Sequence, residues 1–199
     1  MIFEVKIPEE KIREIDEKLQ KMEKKTPNEL KKVVNSSAKK AKKELAMGVQ
    51  KRYASKTYNA QYVRGQVSIK NATVGKVEAT LEAKGEATEL REFKVSSLTP
   101  GVKKAIKGKV LKKGRMERLF DAFVVRFKNG HVSVVERAHG KYMKNAKKRN
   151  KHWEKLEKKL SPAVPQMIGK VHSEKDVDLQ EILNQKLEEH IEKIMGGVK

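Results

Sequence analysis

The sequence predicts an α+β protein with long N-terminal helices, a central antiparallel sheet and a C-terminal amphipathic helix. Three observations lead to this class. Two runs rich in Phe and Val flank an Asn-Gly pair, which indicates a β-hairpin at about 119–136. Apolar residues recur at helical spacing over 27–53 and again over 176–195. Because no other part of the chain is as apolar over a comparable length, we take the hairpin as the centre of the core.

The N-terminal third predicts one short strand and then helices. Residues 2–7 read as a strand that Pro8 ends, and residues 9–25 as a charged helix with a narrow apolar stripe. A long helix over 27–53 begins at a capping threonine followed by Pro27, with Glu29 at the position of a capping-box carboxylate. Its predicted buried stripe is thin and rich in alanine: Leu30, Val33, Val34, Ala38, Ala41, Leu45 and Val49.

The middle of the chain predicts short strands that lead into the hairpin. Alternation of apolar and polar residues favours strands over 66–70, 76–84, 91–96 and 102–110. In the hairpin we expect a type I′ turn, because both Asn and Gly accept a positive φ. Side chains alternate along a strand, so every second residue shares a face. The predicted core residues of the hairpin are Phe123, Val125, Phe127, Val132 and Val134.

Beyond the hairpin, residues 141–159 form a basic stretch with a faint helical face. A proline-containing run then predicts a fixed packing corner. The last helix, over 176–195, has a clean apolar stripe and ends at two glycines. The expected organisation is an extension at 1–26, an α+β domain at 27–172 and a C-terminal helix at 173–199. The corner residues are Pro162, Val164, Pro165 and Met167.

Composition points to a polyanionic partner. The chain has 199 residues and a net charge of +21, and 37% of its residues are charged. Such an excess is typical of proteins that contact nucleic acid. The absence of cysteine excludes disulfides and thiolate metal sites. No apolar run approaches the ~20 residues that span a bilayer, and the N-terminus lacks a signal-peptide core, so we expect no membrane contact.

Catalytic patterns are missing from the sequence. The five histidines have no metal-ligand spacing, and there is neither a phosphate-binding glycine loop nor a nucleophile elbow. His131 is more readily explained as a surface or turn residue than as a base. Acidic residues alternate with lysines, which is typical of solvated helix faces. We therefore expect no enzyme activity, no cofactor and no metal site.

The strongest functional signal is a basic block between residues 103 and 118, in which Glu117 is the only acid. Two interpretations stay open. Lysines protect exposed strand edges from aggregation, or they form a surface that faces phosphates. Base readout is not expected, because no recognition motif appears and aromatic residues make up only 5% of the chain. The DNA-facing candidates are Lys103, Lys104, Lys107, Lys109, Lys112, Lys113 and Arg115.

Several motifs, taken in order, give the chain a family resemblance. An alanine-containing helix from Ser36 onward is followed by the Leu90–Phe93 motif and the strand 101–107. The segment Ala122–Arg137 and the run Leu160–Met167 then precede a final amphipathic helix. In this order, over about residues 30–195, the chain resembles the minor tail protein Z family of long-tailed bacteriophages. Relative to the family pattern, residues 138–159 form a long basic insertion.

This resemblance implies a structural virion protein of the phage head–tail junction that completes the tail. It also implies a homo-oligomeric ring, for which six copies is one candidate number, with double-stranded DNA passing nonspecifically through its lumen. Neck and tail-terminator proteins are the expected neighbours. The expected location is the virion tail or neck, and the host cytoplasm during assembly. The alanine-rich stripe of the long helix and the apolar face of the last helix are candidate ring contacts.

Two alternatives to the tail protein stay open. A cytoplasmic nucleic-acid-binding protein without sequence preference would have the same charge excess. An enzyme of unrecognised type is the third reading. Self-association separates the first two, because a ring subunit must present two different, complementary faces.

Overall fold

The computed structural model describes residues 1–6, 13, 26–55, 57–102, 105–143, 154–174 and 177–196. The protein belongs to the α+β class, as predicted. By packing, the chain divides into two compact units. Unit 1 comprises Met1–Val49, Ala60–Gly85 and Val164–Lys199, and unit 2 comprises Gln50–Asn59 and Glu86–Ala163. The predicted boundaries at residues 26 and 172 stay predictions.

In the described parts of the chain, four α-helices form from segments with helical periodicity. They are α1 (Thr26–Arg52), α2 (Ala60–Gly65), α3 (Val164–Ser173) and α4 (Leu179–Gly196). Helix α1 agrees closely with the helix expected at 27–53, and all seven residues of its predicted stripe are buried. The helix expected at 9–25 lies outside the described residues except for Arg13. No helix in the described ranges is both long and apolar enough to cross a membrane.

The apolar faces of α1 and α4 are used inside unit 1. Leu179, Ile182, Leu183 and Leu187 of α4 are all buried. A Cβ at Gly48 would lie 2.6 Å from Val171, so α1 and α3 approach closely only because this position lacks a side chain. Both stripes are therefore core of one chain. The buried part of these stripes is therefore not available as a ring contact in this structure, and the ring itself stays a prediction.

Polar contacts join the outer parts of α1 and α4. Glu29 in the first turn of α1 accepts from Lys32 at 2.6 Å and lies 2.8 Å from Nε2 of His190 on α4. Lys40 donates to Gln185 at 3.0 Å. The Glu29 carboxylate, expected at a capping-box position, thus contacts the side chains of Lys32 and His190.

The described strands form four small antiparallel sheets instead of one central sheet. Their orders are β1-β3-β2, β10-β9-β8, β11-β4 and β5-β6-β7. The strands are β1 (Ile2–Lys6), β2 (Val67–Lys70), β3 (Glu78–Ala83), β4 (Thr88–Glu89), β5 (Lys94–Val95), β6 (Lys107–Lys109), β7 (Glu117–Arg118), β8 (Ala122–Arg126), β9 (Val132–Tyr142), β10 (Glu154–Lys158) and β11 (Leu160–Ser161).

The predicted hairpin is present as β8 and β9, with Val124 directly opposite Val134. Its turn differs from the expected type I′. Phe127 N donates to His131 O at 2.8 Å, and Gly130 N donates to Phe127 O at 2.9 Å. Of the two turn residues only Gly130 has a positive φ, at 81°. The connection is therefore a three-residue loop with glycine in the left-handed position, which is the next most common hairpin geometry.

Both faces of β9 are buried, with Ser133, Val134 and Val135 all at 0% exposure, but the buried residue of β8 is not one of those expected from alternation. Val124 (6% exposed) and Val134 (0%) pack with Ile106 (2%), and Val132 lies at the margin of this cluster. Three predicted core residues of β8 and its turn are only half-buried, on the opposite face: Phe123, Val125 and Phe127. Residues 122–125 are apolar at every position, so alternation along the sequence does not predict which face of β8 is buried. The choice is made by Ile106, which packs on the Val124 side.

The corner residues lie around the start of α3. Val164 (2% exposed) and Met167 (0%) are buried, whereas Pro162 and Pro165 are half-buried. Before the corner, the basic stretch was expected to be helical or loop-like, and in its described parts this is wrong. Strand β9 extends to Tyr142, and β10 pairs back onto it. Residues 144–153 lie outside the described residues.

Candidate nucleic-acid interface

The sheet β5-β6-β7 brings four cations onto one face. Lys94 lies directly opposite Lys109, and Lys107 lies directly opposite Arg118. Lys107 and Lys109 are two residues apart on β6, so their side chains point to the same side. We call Lys94, Lys107, Lys109 and Arg118 the basic face. Both of its described cross-strand pairs join two positive charges.

The opposite side of this sheet is the packed side. A Cβ at Gly108 would lie 3.2 Å from Leu119 and 3.3 Å from Leu90, so apolar side chains cover the β6 backbone closely there. Lys94, Lys107 and Arg118 are exposed, and Lys109 is half-buried. The basic face therefore points to solvent from a supported sheet. Like charges directly opposite each other are destabilising in a sheet, so this arrangement does not contribute to the fold.

The segment that connects β6 to β7 adds three exposed cations, Lys112, Lys113 and Arg115. Its backbone is held in place within unit 2. Lys112 N donates to Arg52 O at 2.8 Å, and Ala54 N donates to Val110 O at 2.7 Å. Lys109 Nζ donates to Gly114 O at 2.7 Å, which ties the connection to the strand. We call residues 110–116 the basic connection.

No carboxylate among the described residues forms an ion pair with a cation of the basic face or of the basic connection. The nearest acid in sequence, Glu117, stands opposite Gly108 and thus on the other side of the sheet. These charges are therefore not compensated by described acids of the chain itself. Edge protection does not explain Lys107 and Lys109, because β6 is the central strand of its sheet.

The structure places five of the seven predicted DNA-facing residues in this region. Lys107 and Lys109 lie on the basic face, and Lys112, Lys113 and Arg115 lie on the basic connection. Lys103 and Lys104 lie outside the described residues. Sequence reasoning missed Lys94 as a site residue. Its pairing with Lys109 depends on strand register, which the local pattern does not contain.

The second basic stretch has a different electrostatic environment. Lys141 and Lys155 lie 3.3 and 3.9 Å from Glu157. Lys159 pairs with Glu136, and Lys158 pairs with Glu89. Every one of these four lysines thus has an acidic partner in unit 2. The stretch is basic in sequence but largely compensated in the fold.

Glu89 is the centre of a polar network that sequence reasoning did not identify. It accepts from Ser133 Oγ at 2.7 Å and from Lys158, and it lies 2.9 Å from His131 Nε2. Burial alone would raise the pKa of the Glu89 carboxyl, but the hydrogen bonds from Lys158, Ser133 and His131 outweigh it and lower the pKa to about 2. The carboxylate is therefore charged at neutral pH and locks β4 to the hairpin.

Arg91 extends this network along the Leu90–Phe93 motif. Its guanidinium donates to Val132 O at 2.7 Å and to Glu92 at 2.9 Å. Thr57 donates to the other oxygen of Glu92 at 2.7 Å and, with Arg91, lowers the pKa of that carboxyl. These contacts explain why the motif is rich in charge although it lies beside the core. They are hydrogen bonds that hold the motif in place.

The described residues contain no group of three or more His, Asp or Glu side chains that could hold a metal ion. His131 binds within the Glu89 network, and His190 binds Glu29. What the arrangement supports chemically is attraction of phosphate groups by exposed, uncompensated cations, without base readout.

The fold and this site define a basic α+β protein with a cluster of exposed cations on one small sheet and its connection. Its family follows from sequence comparison. The prophage minor tail protein Z (GPZ) family matches residues 7–195, which is nearly the whole chain, and the protein belongs to this family. The match begins before residue 30 and includes the segment 9–25 and the basic stretch 138–159. No curated protein and no solved structure matches the chain.

Proposed function

We propose that this phage minor tail protein is a structural component of the head–tail junction, where it completes the tail and helps to form the conduit for DNA. In this proposal the basic face and the basic connection contact the phosphates of double-stranded DNA. Homo-oligomeric rings, next to neck and tail-terminator proteins, would place these cations around the duplex.

The main support for the proposal is that both cross-strand pairs on the basic face join two cations. Like charges directly opposite each other destabilise a sheet unless an opposite charge compensates them. Here Lys94 faces Lys109, and Lys107 faces Arg118. An external polyanion would relieve this repulsion, and duplex DNA is the polyanion that a phage tail must pass.

Contact with the phosphate backbone fits a conduit better than sequence recognition does. Genomic DNA slides through a conduit, so every sequence must be tolerated. The cations lie on a supported sheet and on a tethered loop, and none of them stands on a recognition helix. The expected binding is nonspecific and strongly dependent on salt.

The salt dependence of duplex binding tests the DNA contact. We expect the triple variant Lys94→Ala, Lys107→Ala, Lys113→Ala to reduce the slope of log affinity against log salt by up to ~3, since each lost phosphate contact removes about 0.9. All duplex sequences should be weakened alike. Fluorescence anisotropy with two unrelated duplexes measures both quantities.

A matched control removes the same number of charges from the second basic stretch. In Lys141→Ala, Lys155→Ala, Lys159→Ala the lost lysines have acidic partners. We expect this control to change the slope by less than ~1. Equal losses in both triple variants would mean that net charge alone determines binding, and the assignment of the basic face would be wrong.

Particle experiments separate the tail protein from a cytoplasmic nucleic-acid-binding protein. We expect the protein in purified virions at the junction, and virions carrying the basic-face variant to assemble but deliver DNA poorly. Absence from virions, together with nonspecific nucleic-acid binding in the cell, would support the cytoplasmic alternative.

A further inference from the structure

The outer edge of β8 offers unpaired backbone groups. Phe127 N donates to His131 O, and the hydrogen bonds of an antiparallel pair recur at every second residue. Phe123 and Val125 therefore bond to β9, whereas the backbone groups of Ala122, Val124 and Arg126 point away from it. Among the described residues, none of these outward groups has a backbone partner.

This edge is weakly protected against pairing with another strand, because Arg126 is its only charged residue. Natural edge strands carry lysine, proline or a bulge. Strand β8 reads Ala-Phe-Val-Val-Arg, and its register with β9 has no bulge. The other edge of the same sheet, β10, reads Glu-Lys-Leu-Glu-Lys and is well protected by charge. The contrast marks β8 as the edge at which the sheet can be extended.

The sequence of β8 is complementary to itself in an antiparallel register centred on Val124. In that register Phe123 of each copy stands opposite Val125 of the other copy. Aromatic–β-branched pairs of this kind stabilise sheets. Arg126 stands opposite Ala122 of the second copy, so no like charges meet. The outward backbone groups also face each other in this register, which is the hydrogen-bonded arrangement.

We propose that two copies of this chain associate through β8, so that the two three-stranded sheets join into one six-stranded sheet. The contact is isologous, because the same strand serves both copies. It is independent of the proposed DNA contact, since the basic face lies on another sheet. As a two-fold contact it links two subunits only, and it leaves any ring contact to other surfaces.

Phe120, immediately before the edge, supports this assignment. It is 73% exposed, and Arg118 lies over its ring at 5.5 Å. Asp121 between Phe120 and β8 has a φ of 55°, which is uncommon for a residue other than glycine. The exposed ring is an apolar group at the end of the β8 edge.

Repulsion between two highly basic copies opposes the contact. Each chain has a net charge of +21, and salt screens charges that are about 10 Å or more apart at 0.1 M. We therefore expect added NaCl to strengthen association. DNA binding responds in the opposite direction, so the two proposals are distinguishable in one salt series.

The decisive comparison is Arg126→Pro against Arg126→Ala. Both remove the guanidinium, but only proline removes the outward N–H, and that N–H is not used within the described chain. Sedimentation equilibrium of the full chain should show a monomer–dimer equilibrium for the wild type and for Arg126→Ala. For Arg126→Pro we expect a dissociation constant about 30-fold higher, because two hydrogen bonds are lost per dimer.

Amide hydrogen exchange locates the contact independently of mass. The Val124 amide should become more protected as the protein concentration rises, whereas the Val125 amide is protected in the monomer as well. Thermal unfolding of both variants checks that they are folded. A wild type that stays monomeric at every concentration, an Arg126→Pro variant that dimerises as well as Arg126→Ala, or a Val124 amide indifferent to concentration would each overturn the proposal.

Discussion

The two basic stretches of this protein look alike in sequence and differ in structure. Between residues 103 and 118, the described lysines and arginines face each other or solvent, and no described carboxylate pairs with them. Between residues 141 and 159, four described lysines pair with Glu89, Glu136 or Glu157. The same residue type thus forms a cluster of cations without described acidic partners in one place and internal ion pairs in the other.

The comparison shows that strand register determines whether a lysine lies near an acidic partner. In β6 the register sets cations opposite cations, and the acid Glu117 falls on the other side of the sheet. In β10 the register sets Glu157 opposite Glu136 and Lys158 opposite Val135, and lysines from both strands reach the acids. Counting charges along the chain would rank the two stretches equally.

The largest effect is expected from removing the acid that compensates the second stretch. Glu89→Ala leaves Lys158, His131 and Ser133 without their shared acceptor, at a site where the Glu89 side chain is only 19% exposed. We expect a loss of about 1–3 kcal/mol in the free energy of unfolding. Urea denaturation measures it, with unchanged m-values as the sign of a comparable unfolded state.

Glu157→Ala is the matched control for this loss. Glu157 also has two lysine partners, but its side chain is 39% exposed and both partners are more exposed still. Surface pairs of this kind contribute at most about 1 kcal/mol. If Glu157→Ala lost as much stability as Glu89→Ala, the Glu89 network would be no more important for the fold than an exposed ion pair.

Acid should weaken the same network in a defined window. The pKa of Glu89 is lowered from 4.5 to about 2 in the folded protein. A lowered pKa contributes stability that is fully present above pH 4.5 and is lost as the pH falls toward 2. We expect wild type and Glu89→Gln to differ most above pH 4.5 and to converge between pH 4.5 and 2, as followed by urea titrations at each pH. A constant difference would contradict the assigned network.

Much of this fold follows from the sequence, and the exceptions have physical causes. The helix stripe from Leu30 to Val49 and the hairpin at β8–β9 were predicted correctly, because both rest on local periodicity. The buried face of β8 was not, because residues 122–125 are apolar on both faces and a distant residue, Ile106, makes the choice. Lys94 and Glu89 were missed as site residues because their partners lie at least 15 residues away in sequence.

A charge reversal on the basic face should stabilise the fold and weaken DNA binding together. Lys107→Glu places a carboxylate directly opposite Arg118, so a repulsive cross-strand pair becomes attractive. We expect a gain of about 0.2–1 kcal/mol in the free energy of unfolding. Duplex affinity should fall, because one phosphate contact is replaced by repulsion.

In the second stretch the same reversal should have the opposite effect on stability. Lys155→Glu removes a partner of Glu157 and adds a like charge beside it. We expect a small destabilisation, within about 0.5 kcal/mol, and little change in duplex affinity. If Lys107→Glu destabilised the protein as Lys155→Glu does, the cation–cation register would not be strained, and the contrast between the two stretches would fail.

The smallest and most specific expected effect is that salt reduces the gain in stability of the Lys107→Glu variant. The exposed charges of the basic face are screened by salt, because the Debye length falls from about 10 Å at 0.1 M to about 3 Å at 1 M. Lys107→Ala removes the repulsion without adding an attraction, so it should lie between wild type and Lys107→Glu at low salt. The three stabilities should converge by a few tenths of a kcal/mol as NaCl rises from about 0.05 to 1 M. Urea titrations at three salt concentrations resolve this trend if the variants are measured side by side.

A gap between Lys107→Glu and Lys107→Ala that persists at 1 M would indicate that packing or strand propensity, and not charge, accounts for the gain. The basic face would then be an ordinary sheet surface that happens to carry lysines.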